Sequence, residues 1–222
     1  MENLTLVIPA KKESESLPGV LDELKNYSFK ILIILEKSDI ETIESLRNYD
    51  AKIHYQNAKG YGNAIIDGIN NTNTELFCIF NADGSFDPSE LNRFVKLLRE
   101  NNKDFVFASR YQKNSGSEDD TFLTYIGNKF FTLIGRIFFN LPITDILYTF
   151  VVGKTEMAKN LNLKQQNFTF CVELPIKVKR KGLNMVSASS YERKRSAGKK
   201  KVNEFKDGML ILFHLITMFF KR

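Results

Sequence analysis

Short apolar runs alternate with amphipathic segments through the first half of the chain. LTLVIPA (residues 4–10), KILIILE (30–36), KIHY (52–55), LFCIF (76–80) and DFVFAS (104–109) are rich in β-branched and aromatic residues and read as strands. Between them, LPGVLDELKNY, IETIESLRNY, YGNAIIDGINN and PSELNRFVKLLREN carry apolar residues at i, i+3 or i+4, the spacing of a helix with one buried face. Pro88 suits the first turn of its helix, with Asp87 before it as N-cap. Such alternation predicts βαβ units and an α/β fold, a mostly parallel sheet flanked by helices. No internal repeat, low-complexity tract or linker interrupts it. A single domain over residues 1–222 is expected, with halves of different character at 1–111 and 112–222. The second half is aromatic and basic and reads as a helical region.

One strand ends abruptly. In LFCIFNADGSFDP (76–88), five apolar residues are followed by Asn81, Asp83, Ser85 and Asp87. In an open α/β sheet, ligands bind outside the carboxyl ends of the strands. Asn81 and Asp83 share a side of an extended chain, and Ser85 joins them if the turn permits. Hard oxygens converging there suit Mg²⁺ or Mn²⁺, which complete their shell with water and phosphate. The same spacing also describes a polar turn with a helix cap and no ligand, and the local pattern leaves both open.

Charge sharpens the picture. The chain carries +6 overall, but residues 177–201 hold ten Lys or Arg and one Glu, so the remainder carries −3. A basic segment on a mildly acidic body points to an anionic partner. Nucleic acid is not expected, because Tyr191 alone interleaves with those cations and no helix-turn-helix or zinc pattern occurs. Nucleotidyl transfer would want a glycine-rich loop after the first strand, and PAKKESES has no glycine. Cys78 and Cys171 lie in apolar surroundings and read as reduced, buried thiols. His54 and His214 read as structural. Met1 leads straight into the first strand pattern, so no secretory leader is expected.

Six segments resemble, in order, the family 2 glycosyltransferases of GT-A (Rossmann-like) fold. LVIPAKKESESLPGVLDEL is similar to the family's opening "vvIPayNEe.nl…l.el", KGYGNAIIDGI to "GkGaAl..G", NADGSFDP to "DADGQ.DP" and VFASRY to "vvGSRy". ITDILYTFVVGKTE is similar to "isDp.sGFra", and ERKRSAGKKKVNEFKDG to the closing "R..G.SKlN.frDG" of the dolichyl-phosphate mannose synthase branch. The resemblance implies an inverting transfer of sugar from a UDP- or GDP-linked donor, with residues 1–111 as the nucleotide-binding half. It assigns Pro9, Ala10, Lys11, Glu13, Glu36, Lys59, Gly60, Asn81, Ala82 and Asp83 to the nucleotide sugar. Asp83, Asn81 and Ser85 would hold the metal, and Arg110, Arg195 and Lys201 the phosphates. Asp145 is the positional candidate for a general base, which a hydroxyl acceptor requires and a phosphate acceptor does not.

Some positions depart from the pattern. Lys12 replaces an Asn, Leu35 and Glu36 replace a pair of acids, and Asn81 replaces the first acid of D-x-D. Thr149 stands at a glycine and Lys200 at a serine. These keep open a degenerate glycosyltransferase that binds nucleotide without turnover.

Two aromatic stretches remain, FLTYIGNKFFTLIGRIFFNLPI (122–143) and MLILFHLITMFFKR (209–222). Ile126, Phe130, Leu133, Ile134 and Ile137 form a stripe at helical spacing, with Lys129 and Arg136 on another face. Neither stretch reaches the roughly 20 apolar residues of a membrane span. Each suits either an interfacial helix or a helix packed on the sheet. With the basic segment, they lead to the expectation of a cytoplasmic enzyme peripheral on the inner membrane face. Its acceptor would be a polyprenyl phosphate or a cell-envelope glycan, and a membrane subunit or homo-oligomer is a possible partner.

Overall fold

Both faces of the central strands are buried, which is why their sequences read as unbroken apolar runs. In the computed structural model, which describes residues 3–198 and 201–221, β1 is Leu4–Pro9, β2 Lys30–Leu35, β3 Lys52–Tyr55, β4 Leu76–Ile79 and β5 Phe105–Ser109. Along β1, Leu4, Leu6 and Ile8 enter one core cluster and Val7 the other; along β4, Leu76 and Cys78 oppose Phe77 and Ile79. The intervening helices are α1 (Leu17–Leu24), α2 (Ile40–Ser45), α3 (Tyr61–Asn70) and α4 (Leu91–Glu100). Leucines and Phe94 of α1 and α4 cover the first face, and Ala64, Ile65 and Ile69 of α3 cover the second. As expected, Asp87 caps the turn Pro88–Glu90 through Ser89 N–H at 2.8 Å.

The second half is less purely helical than its composition implied. After the short β6 (Gly116–Ser117) come α5 (Phe122–Phe139), β7 (Val151–Lys154), α6 (Thr155–Lys159), α7 (Phe170–Arg180), β8 (Met185–Ser189), β9 (Tyr191–Glu192) and α8 (Glu204–Phe220). The seven-stranded sheet has the order β3-β2-β1-β4-β7-β5-β8, with β7 antiparallel to both its neighbours. Chain from the second half thus separates β4 from β5. β6 and β9 form a two-stranded parallel ribbon beside it.

Phe80, Phe86, Phe94 and Phe150 are fully buried, with Phe86 stacked on Phe150 at 4.4 Å and Phe80 edge-on to both. Truncating a buried Phe costs about 3–5 kcal/mol. This cluster anchors the turn that follows β4.

Four of the five stripe residues on α5 face outward, whereas Ile134 packs against the core. Ile126, Phe130, Leu133 and Ile137 are exposed, while Asn128, Phe131, Thr132 and Gly135 face the core. α8 packs beside α5, burying Ile211, Leu215 and Met218 and exposing Phe205, Met209, Phe213 and Phe220. Of the α5 stripe, only Ile134 packs inward, and the other four residues stay exposed. No helix among the described residues is long and apolar enough to cross a membrane.

Candidate active site

The loops after β1, β2, β3, β4 and β5 gather at one edge of the sheet, where residues 193–196 and Lys201 also make contacts. Lys199 and Lys200 of the basic segment lie outside the described residues, as do Met1 and Arg222. The rest of that segment divides in two. Lys177, Lys179 and Arg180 end α7, whereas Arg193, Arg195 and Lys201 are drawn into ion pairs at the site.

After β1, Pro9 ends the strand, and Ala10 is buried and donates its N–H to Ile34 O at 2.9 Å. Lys11 and Glu36 pair with each other at 3.0 Å. Lys12 adopts a left-handed φ of +53°, which an Asn takes more readily than a Lys. Its N–H donates to Asp39 Oδ2 at 2.6 Å, which stabilises the turn. Glu13 is buried; Ser16 Oγ donates to its Oε2 at 2.6 Å, and Lys201 pairs with its Oε1 at 3.2 Å. Lys201 reaches back 188 positions in this way to the first loop.

Gly60 follows β3 with φ +120°, and a Cβ there would lie 2.1 Å from Gln166 O. No other residue fits. Asp67 holds the same loop by accepting from Asn57 N–H at 2.8 Å. Lys59, beside Gly60, is exposed. Thr149, two residues before β7, is hydrogen-bonded to the hydroxyl of Tyr61 at the start of α3, 2.7 Å away.

Asn81, Asp83 and Ser85 do converge, through one another. Asn81 Nδ2 donates to Ser85 Oγ at 3.3 Å, and Ser85 donates to Asp83 Oδ1 from Oγ at 2.6 Å and from N at 3.0 Å. Ser85 is buried, so its hydroxyl orients Asp83. Asp83 Oδ2 lies 3.6 Å from Arg195 Nη1, and Ser196 N–H donates to Asp83 O at 2.8 Å. Ala82 is buried between them. Among the described residues, no group of three or more His, Cys, Asp or Glu is arranged to hold a metal. The local donor set is one carboxylate with neutral oxygens, which fits a hard cation that takes most of its shell from phosphate and water.

Arg110 lies deeper. Asp145 is fully buried and accepts from its Nε at 2.8 Å and Nη2 at 3.1 Å. Glu192 at 3.1 Å and Asp120 at 3.4 Å contact Arg110 Nη1. Burial works against the charge on Arg110, but Asp145 and Glu192 more than offset it and raise its pKa. Burial also pushes Glu192 up, with Arg110 and Ser117 only partly opposing it. Both carboxylate oxygens of Asp145 are therefore engaged by Arg110, away from solvent.

Asp39, Asp119, Asp120, Glu192 and Arg193 belong to the site without having been singled out. The only sequence hint was the charge density of Glu118-Asp119-Asp120. His54 lies on β3 beside Asn71 and His214 lies on α8; Cys171 is buried, its thiol pushed up to about 12.

Comparison with known proteins matches residues 5–161 to the family model "Glycosyl transferase family 2". The chain belongs to this glycosyltransferase family. An uncharacterized glycosyltransferase of Mycobacterium tuberculosis is 24% identical over 208 residues, covering 94% of this chain and 93% of that one. The dolichol-phosphate mannosyltransferase of Pyrococcus furiosus is 24% identical over 189 residues, covering 79% of this chain and 53% of that enzyme. Among solved structures, glucosyl-3-phosphoglycerate synthase of Mycobacterium tuberculosis, in complex with Mn²⁺, UDP and glucosyl-3-phosphoglycerate, matches with TM-score 0.74 at 14% identity. That likeness covers 98% of this chain and 80% of the synthase, and it establishes the GT-A fold. The glycosyltransferase is therefore an α/β enzyme whose gathered loops form its candidate active site.

Proposed function

We propose that this glycosyltransferase moves a sugar, with inversion, from a UDP- or GDP-linked donor to a polyprenyl phosphate at an anionic membrane surface. The convergence of Asp83, Arg195 and Lys201 at the carboxyl edge of the sheet carries the reading. Leaving-group departure puts developing charge on a diphosphate, which cations fixed beforehand stabilise. The nucleotide would lie along Pro9, Ala10, Lys11, Glu13, Glu36, Lys59 and Gly60. Mg²⁺ or Mn²⁺ would be held by Asp83, with Asn81 beside it and Ser85 orienting the carboxylate. When bound, the cation would neutralise diphosphate charge. Arg195 would exchange Asp83, and Lys201 would exchange Glu13, for phosphate oxygens.

A phosphate acceptor is favoured over a glycan hydroxyl by the burial of Asp145 against Arg110. A phosphate is already an anion and needs no base. The membrane surface is supported by the outward face of α5 and α8. The α5 segment contains no Asp or Glu and carries Lys129 and Arg136. On α5, exposed aromatics with cations and no acids suit the interface of an anionic cytoplasmic leaflet, while the acids of α8, Glu204 and Asp207, are confined to its first turn.

The test combines purified protein, UDP- and GDP-sugars, Mn²⁺ or EDTA, and vesicles containing polyprenyl phosphate. Radiolabel appearing in the lipid from one donor class is expected. Absence of transfer from every donor, together with absence of nucleoside diphosphate binding, would overturn the reading.

A further inference from the structure

The parallel pairing of β6 with β9 sets Gly116 beside Tyr191 and Ser117 beside Glu192. Past this ribbon the two chains continue side by side. Glu118 N–H donates to Glu192 O at 2.9 Å, and Lys194 N–H donates to Glu118 Oε2 at 3.2 Å. Ser117 Oγ accepts from the N–H groups of Asp119 at 3.1 Å and Asp120 at 3.0 Å, so the backbone of that turn is held. The outcome is that Asp119 meets Arg195 side-on. Nη2 lies 2.9 Å from Oδ2 and Nε 3.4 Å from Oδ1. Both side chains are mostly buried, at 20% and 17% exposed.

A guanidinium presents its donors in a rigid planar fork. With the Nε–Nη2 edge taken by Asp119, Nη1 is directed toward Asp83, 3.6 Å from Oδ2. Arg195 is thus shared between two carboxylates of unequal claim, two contacts against one longer one. The Asp119 hydrogen bond is also the largest influence raising the Arg195 pKa.

We propose that Asp119 is a positioning residue for phosphate recognition, holding one edge of Arg195 so that the other faces the donor diphosphate. The inference rests on the donor-site reading above. On binding, Nη1 leaves Asp83 for a phosphate oxygen while Asp119 keeps its edge. The guanidinium then needs no large rearrangement, and the ordering cost is met in the free enzyme. No bond is made or broken by Asp119.

The experiment is calorimetric titration of UDP, GDP, UMP and GMP, with Mn²⁺, into wild type, Asp119→Ala, Asp119→Asn, Arg195→Ala and the Asp119→Ala/Arg195→Ala double variant. Melting curves accompany each protein. Asp119→Ala is expected to weaken nucleoside diphosphate binding roughly tenfold and to spare the monophosphate, with little further loss in the Arg195→Ala background. Asp119→Asn, which keeps an acceptor oxygen, should fall between. Undiminished diphosphate affinity in a folded Asp119→Ala or Asp119→Asn protein, or additive losses in the double variant, would overturn the role of Asp119 alone. If wild type binds no nucleoside diphosphate, the donor site and this role fall together.

Discussion

Arg110 and Asp145 meet through two nearly parallel hydrogen bonds, 2.8 Å and 3.1 Å long, at a point that solvent does not reach. Removing one partner of a buried pair leaves an uncompensated charge. Because Asp120 and Glu192 also contact Arg110, the cost of Asp145→Asn should lie near the lower end, on the order of 3 kcal/mol. That corresponds to a drop of roughly 10 °C in Tm for a chain of this size. A general base would impose its own ionisation on kcat/KM. The pH profile of Asp145→Asn is expected to keep its shape, and disappearance of its acid limb would restore Asp145 as a base.

Glu192 predicts a pH dependence of stability. Burial raises its pKa in the folded protein, so the native state binds a proton that the unfolded chain has already released. The favourable contribution is fully present below the ordinary carboxylate pKa and is lost as pH rises through the raised value. Glu192→Gln cannot ionise. Its Tm, compared with wild type between pH 4 and pH 8, should fall less steeply with rising pH, and parallel curves would contradict the assignment.

Asn81 is the neutral member of the Asn81-Ser85-Asp83 chain. Asn81→Asp would place a second carboxylate beside Asp83. Repulsion in the metal-free protein should lower its stability by about 1 kcal/mol, and Mn²⁺ affinity should rise roughly tenfold. Titration with Mn²⁺ reads one effect and melting in EDTA the other. Unchanged affinity would remove Asn81 from any metal site.

Ile137 and Phe213 are about two-thirds exposed, at 64% and 66%. Glutamate at both positions should leave the stability within about 0.5 kcal/mol of wild type per site, as surface substitutions do. Flotation with anionic vesicles should nonetheless be lost. Retained flotation would remove this face as the membrane contact.

Much of the frame was legible because its signals are local. β1, β2, β4 and β5 alternate between two buried faces, and each helix between the strands carries one apolar side, so periodicity alone marks them. β7 escaped notice. VVGK is four residues long, and only its insertion between β4 and β5 makes it a central strand. The α5 stripe was visible as a stripe, yet its spacing does not say what covers it, and the chain leaves all of it but Ile134 exposed. The oxygen cluster after β4 was legible because a buried strand that turns polar at its carboxyl end is a local event.

By itself, then, the sequence determined the alternating elements, the turn that carries Asp83 and the glycine that the loop at Gly60 requires, since these depend on near neighbours and backbone sterics. Tertiary structure decided the partners of the charges. Arg195 meets Asp119 across 76 positions and Lys201 meets Glu13 across 188. Such pairs follow from strand register and loop closure, and electrostatic attraction acts through space rather than along the chain. The same physics made Asp145 the buried partner of Arg110.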